Sequence, residues 1–292
     1  MEHNIVVVDE ADGSLVGAIV WWRLSGGLDI DNFSTFWSNT TLHKGWLPTP
    51  VGFERAFRRA CVSQQGGRRL VRPLESHKGF AIVDELARGS DLSHRQRVNL
   101  TLDNLGRIVA QASDDSVLDE DTEALVKTIQ ESYIWHQDNL TQSDVSAWLC
   151  KIMDRIQAVS LRDTGGVYFV PADALAKWEL IVGCLRAASA HTVLSVPAMR
   201  TEQAVEAALD AIANESLVAI QALEKTLEEH NSPESDTKLG ARALAGRVAA
   251  AEKVAKKIAQ YESLLGASLP SLTERLTELS ANLVMAQMAA EV

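Results

Sequence analysis

Three cysteines in 292 residues, Cys61, Cys150 and Cys184, are too few, too far apart and odd in number for a disulfide framework or a zinc ribbon. A reduced, cytoplasmic chain is the expectation. The start, MEHNIVVVDE, lacks a basic stretch followed by an apolar one, and nowhere do about eighteen apolar residues run without a charge. Neither a secreted nor a membrane-spanning chain is expected. Seven histidines include no pair at metal-ligand spacing, and H-E-x-x-H, paired C-x-x-C, G-x-S-x-G and G-x-x-x-x-G-K-[ST] are all missing. No metal, cofactor or catalytic residue is therefore assigned, and the balance lies against an enzyme. A net charge of −11 argues against wholesale coating of nucleic acid or an anionic membrane.

The chain has length and apolar content enough for a substantial core, and it reads as α+β. The expected organisation is a small mixed or antiparallel β-sheet head with helices over 1–112, a helical core with a short strand-helix-strand unit over 113–200, and three long antiparallel, coiled-coil-like helices over 201–292. In the head, NIVVVD and SLVGAIVWWRL flank Asp12-Gly13, which predicts a hairpin. IDNFSTFWSN predicts a short helix, and FERAFRRAC a second one, with Phe53, Ala56, Phe57 and Ala60 on one stripe. RRLVRPL, GFAIVDEL, RVNLTL and GRIVAQ predict strands, the last two joined by a turn at 103–106. The acidic run DDSVLDEDTE, 114–123, fits an electropositive helix start capped by Ser113 or Ser116 better than a cation site, because no EF-hand spacing is present.

Thr141 to Asp144 predicts a capping box, after which Val145, Trp148, Leu149, Ile152, Ile156 and Val159 form an apolar stripe. The stretch DTGGVYFVPADAL follows. Its glycines precede the β-prone run, whereas a phosphate cradle has them after a strand and opening a helix, so Gly165 and Gly166 predict a structural turn. Tyr168 and Phe169 fall on opposite faces of the strand, and Pro171 suits the start of a helix. TVLSVP at 192–197 repeats this punctuation, and the two strands are expected to pair, in parallel across the intervening helix.

In the last third, Leu209, Ile212, Ser216, Ile220, Leu223 and Leu227 step by threes and fours. Leu272, Leu276, Leu279 and Leu283, continued by Ala286 and Ala290, form an interaction seam expected to engage a second copy or another protein. Gly266 predicts a helix stop, and Ser271 to Glu274 a capping box.

One segment departs from the acidic whole. Between residues 43 and 111 there are about twelve Lys and Arg against about six Asp and Glu. Arg55, Arg58 and Arg59 lie on one predicted helix, and Arg68, Arg69 and Arg72 follow Gly66-Gly67. They converge on nucleic-acid phosphates in one reading and pair with acidic residues of the same chain in the other.

The helix end and strand containing Arg162, Gly165, Gly166, Val167, Tyr168, Phe169, Val170 and Pro171 match a pattern R-x-x-G-G-V-Y-F-V-P. With Phe57, Arg58, Arg59 and Ala60 upstream, the chain resembles an uncharacterised family of phage, plasmid and bacterial proteins, a domain of unknown function. The resemblance covers about residues 1–215, leaving the last two helices as an extension. It implies a mobile-element or phage-related setting and supplies no catalytic residue. Two functions follow as expectations: a non-enzymatic interaction or scaffold protein acting through its helical arm, or a nucleic-acid-binding protein using the basic head.

Overall fold

The computed structural model describes residues 15–75, 78–88, 91–112, 117–162, 165–232 and 238–291. In chain order its first half holds β1 (Leu15–Arg23), β2 (Leu28–Asp29), α1 (Ile30–Ser38), α2 (Phe53–Val62), β3 (Arg69–Pro73), β4 (Gly79–Arg88), β5 (Asp91–Leu102) and β6 (Ile108–Ala112). Next come α3 (Glu120–Asp138), β7 (Asn139–Leu140), α4 (Gln142–Arg155), β8 (Val159–Ser160), β9 (Val167–Pro171), α5 (Leu175–Ala188) and β10 (Thr192–Met199). The chain then enters α6 (Glu202–Asn231), α7 (Ala241–Leu265) and α8 (Pro270–Ala290). The architecture is α+β, with antiparallel sheets and a helical C-terminal region. None of the described helices is long and apolar enough to cross a membrane. The hairpin expected at Asp12-Gly13 lies outside the described residues.

Two compact units share the chain, and neither is continuous in sequence. One is built from Leu24–Trp148 and Cys184–Ala190; the other takes the segment through Arg23, Leu149–Gly183 and the segment from His191 onward. These units cut across the linear blocks read from sequence texture.

The first unit contains the sheet β3-β4-β5-β6, an antiparallel meander in sequence order. The turn between β5 and β6 uses Gly106 at φ +73°, and Asp103 accepts from the amides of Leu105 and Arg107, both at 2.8 Å. Alternation sends Phe80, Ile82, Val98 and Leu100 to one face, where Phe57 of α2 meets Phe80 edge-on at 5.5 Å and Tyr133 of α3 at 6.4 Å. The Tyr133 hydroxyl donates to Gly106 O at 2.6 Å. α3 is capped by Asp119, which accepts from Thr122 N at 2.8 Å, and not by either predicted serine; both serines lie outside the described residues. Phe33, Trp37 and Trp148 form a second aromatic cluster, with Trp148 Nε1 donating to Trp46 O at 2.7 Å.

The other unit holds the sheet β10-β1-β9-β8, antiparallel throughout. Here an expectation is corrected: β9 and β10 do not pair. Both flank β1, with Ile19 opposite Val196 on one side and Phe169 on the other. Two strands antiparallel to the same neighbour run parallel to each other, so the direction inferred from the crossover holds while the contact does not. The apolar β1 supplies the partner from far upstream. Gly17 marks its tightest point, since a Cβ there would stand 2.3 Å from Val170 O.

α4 ends earlier than its apolar stripe. Gln157 adopts φ +59°, a left-handed conformation, and Ala158 N reaches back to Met153 O at 2.9 Å. Two residues of α7 close this corner: Lys257 Nζ donates to Ala158 O (2.9 Å) and Glu215 Oε1 (2.6 Å), and Tyr261 donates to Gln157 O (2.9 Å). The Glu215–Lys257 pair, with Ala208 and Leu265 sharing one core cluster, sets α6 and α7 antiparallel. Gly266 stops α7 at φ +62°, as its position predicts, and Arg200 donates to the terminal carbonyls of Leu264 and Leu265 at 2.7 and 3.2 Å. The capping box at Ser271 does not form. Pro270 already occupies the first turn of α8, with Leu269 at the cap and its amide bonded to Glu262 Oε1 at 2.5 Å.

Candidate functional site

The six arginines occupy different places. α2 buries Ala56, Phe57, Ala60 and Cys61, which turns Arg55 and Arg58 outward and leaves Arg59 on the flank. Arg59 grips Asp144 with both terminal nitrogens, at 2.6 and 2.8 Å, and Arg55 adds a bond of 2.9 Å. Asp144 also accepts from the Thr141 hydroxyl (2.7 Å) and amide (3.1 Å), so the predicted capping box exists and doubles as an arginine clamp. Burial by itself would raise the Asp144 carboxyl; the hydrogen bonds from Arg59 and Thr141 and the Arg59 charge hold it well below the ordinary carboxylate range. His136 beside this clamp is lowered, first by burial and then by the Arg59 charge. Sequence reading did not single it out, since a lone histidine carries no spacing signal.

Gly66 and Arg69 exchange backbone bonds at 3.1 and 3.0 Å around Gly67, whose φ is +58°, and this turn launches β3. Alternation then places Arg68 and Arg72 on the sheet face opposite α2 and Arg69 on the face of Val71. Arg68 and Arg72 are exposed, and Arg69 is half-buried. The glycine turn therefore does not gather all six arginines: Arg55 and Arg59 are held at Asp144, while Arg68, Arg69 and Arg72 group around the start of β3.

In the other unit the glycine motif resolves into local structure. Gly165 has φ +94°, and its Cβ position lies 3.8 Å from the Arg162 guanidinium. A Cβ on Gly166 would meet the Trp22 indole at 3.1 Å. Trp22 stacks on Tyr168 with centroids 5.2 Å apart and planes 10° apart, and the Tyr168 hydroxyl lies 3.3 Å from Cys150 Sγ. Burial, then the Cys150 contact, raises the Tyr168 phenol. Phe169 faces the other way, packing on Tyr261 at 6.1 Å, and Pro171 is buried at the strand end. Turn and strand account for the described residues of the motif except the exposed Arg162.

Of the leucine seam, Leu276, Leu279 and Leu283 are buried and Leu272 is half-buried, against Ile220, Leu223, Leu227, Ala251 and Ile258. That stripe is the core of the helical bundle. Arg275 and Glu224 fix α8 on α6 through bonds of 2.6 and 2.5 Å. What α8 leaves outside is Val284, Met285 and Met288, which are 41%, 60% and 63% exposed.

A family model described as a family of unknown function, DUF6744, matches residues 15–292. The chain belongs to that family. Its match runs through α7 and α8, so these helices are part of the family architecture and not an extension beyond residue 215. No curated protein and no solved structure matches the chain. Among the described residues, no group of three or more His, Cys, Asp or Glu could hold a metal ion.

Proposed function

We propose that this DUF6744 protein is a non-enzymatic interaction protein that self-associates, in the manner of a coiled coil, through the outer face of its C-terminal helices. The observation that carries this reading is the strip Val284, Met285 and Met288. Val284 lies about 100° round the helix from the buried Leu283, so the strip is separate from the internal stripe. Apolar residues gathered on an exposed face mark contact sites, and methionine adapts its shape to a partner surface. α6 and α7, at about 45 and 38 Å, give the unit the reach of an arm. The likeness of the segment from Arg162 to Pro171 to phage, plasmid and bacterial proteins supports a mobile-element setting.

The test is the mass in solution of the full chain and of the double variant Met285→Glu/Met288→Glu. Light scattering at high micromolar concentration should give an oligomer for the parent and a monomer for the variant, with unchanged circular dichroism. A strictly monomeric parent sinks the reading.

A further inference from the structure

The meander carries positive charge that its own ion pairs leave uncompensated. Arg69, Asp84 and Arg95 are paired in one row across β3, β4 and β5, and Arg97 donates to the same Asp84 at 2.5 Å. Asp84 thus stands among three guanidinium groups, and Asp119 at the start of α3 adds a carboxylate near Arg95 and Arg97 but not at Arg69. Arg69 lines an open recess of about 320 Å³ with Gly66, Arg68, Asp84, Glu85 and Leu86. Its Nε–H is buried and has no hydrogen-bond partner among the described residues. Buried donors in native proteins find a protein group, a water, an ion or a ligand, so this one calls for an acceptor. The second carboxylate of the wall, Glu85, lies 3.6 Å from His94 Nε2.

On the opposite face, Arg68 and Arg72 are exposed, and neither is in an ion pair among the described residues. Four steps of extended chain separate them by roughly 13 Å. β3 is the edge strand, so a polymer running along its free edge reaches both faces. The face of Arg68 and Arg72 also presents Glu85, His94, Asn99, Thr101 and Gln111, with no Phe, Tyr or Trp among its paired positions. Single-strand binders rely on several large rings that stack on successive bases; a face of guanidinium and amide groups with one imidazole suits the outside of a duplex better. The spacing also compares with the roughly 12 Å width of a major groove, whose two edges are rows of phosphates.

We propose that this arginine collar at the start of β3 binds the phosphodiester backbone of duplex DNA, a phosphate oxygen accepting from Arg69 in the recess while Arg68 and Arg72 reach neighbouring phosphates. The site lies on the meander and does not depend on self-association through α8.

Fluorescence anisotropy with the full chain tests it, using a labelled 20-base-pair duplex of mixed sequence and its single strand at several salt concentrations. The duplex should bind at 50 mM salt, more tightly than the single strand. Its affinity should fall on a log–log salt plot with a slope of roughly −3 for three phosphate contacts. Arg68→Gln/Arg69→Gln/Arg72→Gln should lose at least tenfold and flatten that slope, while Arg242→Gln/Arg247→Gln on α7 binds like the parent. Should the triple variant fail to fold, the exposed single change Arg72→Gln should still cost about threefold and reduce the slope by about 0.9. Absence of duplex binding at 50 mM salt, tighter binding of the single strand, or equal losses in the collar and α7 variants overturns the assignment. So does displacement of the duplex by inorganic phosphate at matched phosphate concentration, which would make the recess a site for the free anion.

Discussion

The two four-stranded sheets of this protein are built by opposite routes. β3 to β6 follow one another within residues 69–112, each strand paired with the next, whereas β10-β1-β9-β8 gathers strands from 15–23, 159–171 and 192–199. In the meander each strand pairs with its sequence neighbour, as where Gly106 at φ +73° and Asp103 turn β5 directly into β6. In the dispersed sheet no turn joins β1 to either neighbour, and side-chain fit decides. Close approach at Gly17 and the stacking of Trp22 on Tyr168 do there what a hairpin does in the meander. Local chemistry selects local partners cheaply; remote partners need shape, because closing a long loop costs entropy before any contact forms.

Three substitutions sharpen this contrast, and the largest effect belongs to a long-range clamp within the unit that holds the meander. Asp144→Ala removes the partner of Arg55 and Arg59, residues 89 and 85 positions away, from a side chain that is 8% exposed. Leaving Arg59 without its carboxylate should cost about 3–5 kcal/mol in urea unfolding at pH 7. The folded carboxyl titrates below its unfolded value of about 3.9, so its contribution is full above that pH and is lost as pH falls from there towards the folded value. The difference between parent and variant should accordingly hold above about pH 4 and shrink as the pH is lowered below it; a gap that stays constant would mean that Asp144 acts by packing alone.

Next in size is Gly17→Val. A side chain there collides with Val170 O at 2.3 Å and the Phe169 ring at 2.6 Å, and the backbone oxygen cannot step aside. Destabilisation on the order of 3 kcal/mol is expected. Hydrogen exchange should show amides of β1, β9 and β10 losing protection while β4 and β5 keep theirs. Equal loss in both sheets would erase the distinction between them.

The smallest effect has the opposite sign. Gln157 holds φ +59° at the end of α4, where its backbone conformation and not its side chain makes the corner. Gln157→Gly should stabilise by about 0.5–1 kcal/mol, the relief of a left-handed non-glycine residue outweighing the added freedom of the unfolded chain. A lower melting temperature would show that the Gln157 side-chain bond to Asp154 O, at 3.0 Å, matters more than the strain.

Legibility followed the same division. The meander, α2, the cap at Thr141 and Asp144 and the stop at Gly266 could all be read from the sequence, because each rests on residues within a few positions of one another. The pairing of β9 with β10 misled, since two similar strands separated by a helix fit a crossover and nothing nearby reveals β1 as the strand between them. The start of α8 was misplaced by two residues because Pro270 outranks Ser271 as a helix opener. Of the arginines, charge and spacing identified the set, but only the third dimension separates Arg55 and Arg59, turned to Asp144, from Arg68, Arg69 and Arg72. The leucines of α8 were legible as a stripe; their role in the bundle core depends on Ile220, Leu223 and Ile258, which no local pattern links to them.

The central place of β1 also sets a schedule at the ribosome. β1 is made long before β9 and β10, yet it hydrogen-bonds to both. At ordinary synthesis rates of about 5–20 residues per second, roughly 10–35 s pass between the emergence of Arg23 and that of Met199. Until β9 emerges, Val16, Val20 and the Trp21-Trp22 pair lack both of the described sheet neighbours of β1, while the meander can already close. The nascent chain therefore presents this apolar strand to chaperones before the meander is made and satisfies it after the meander has closed.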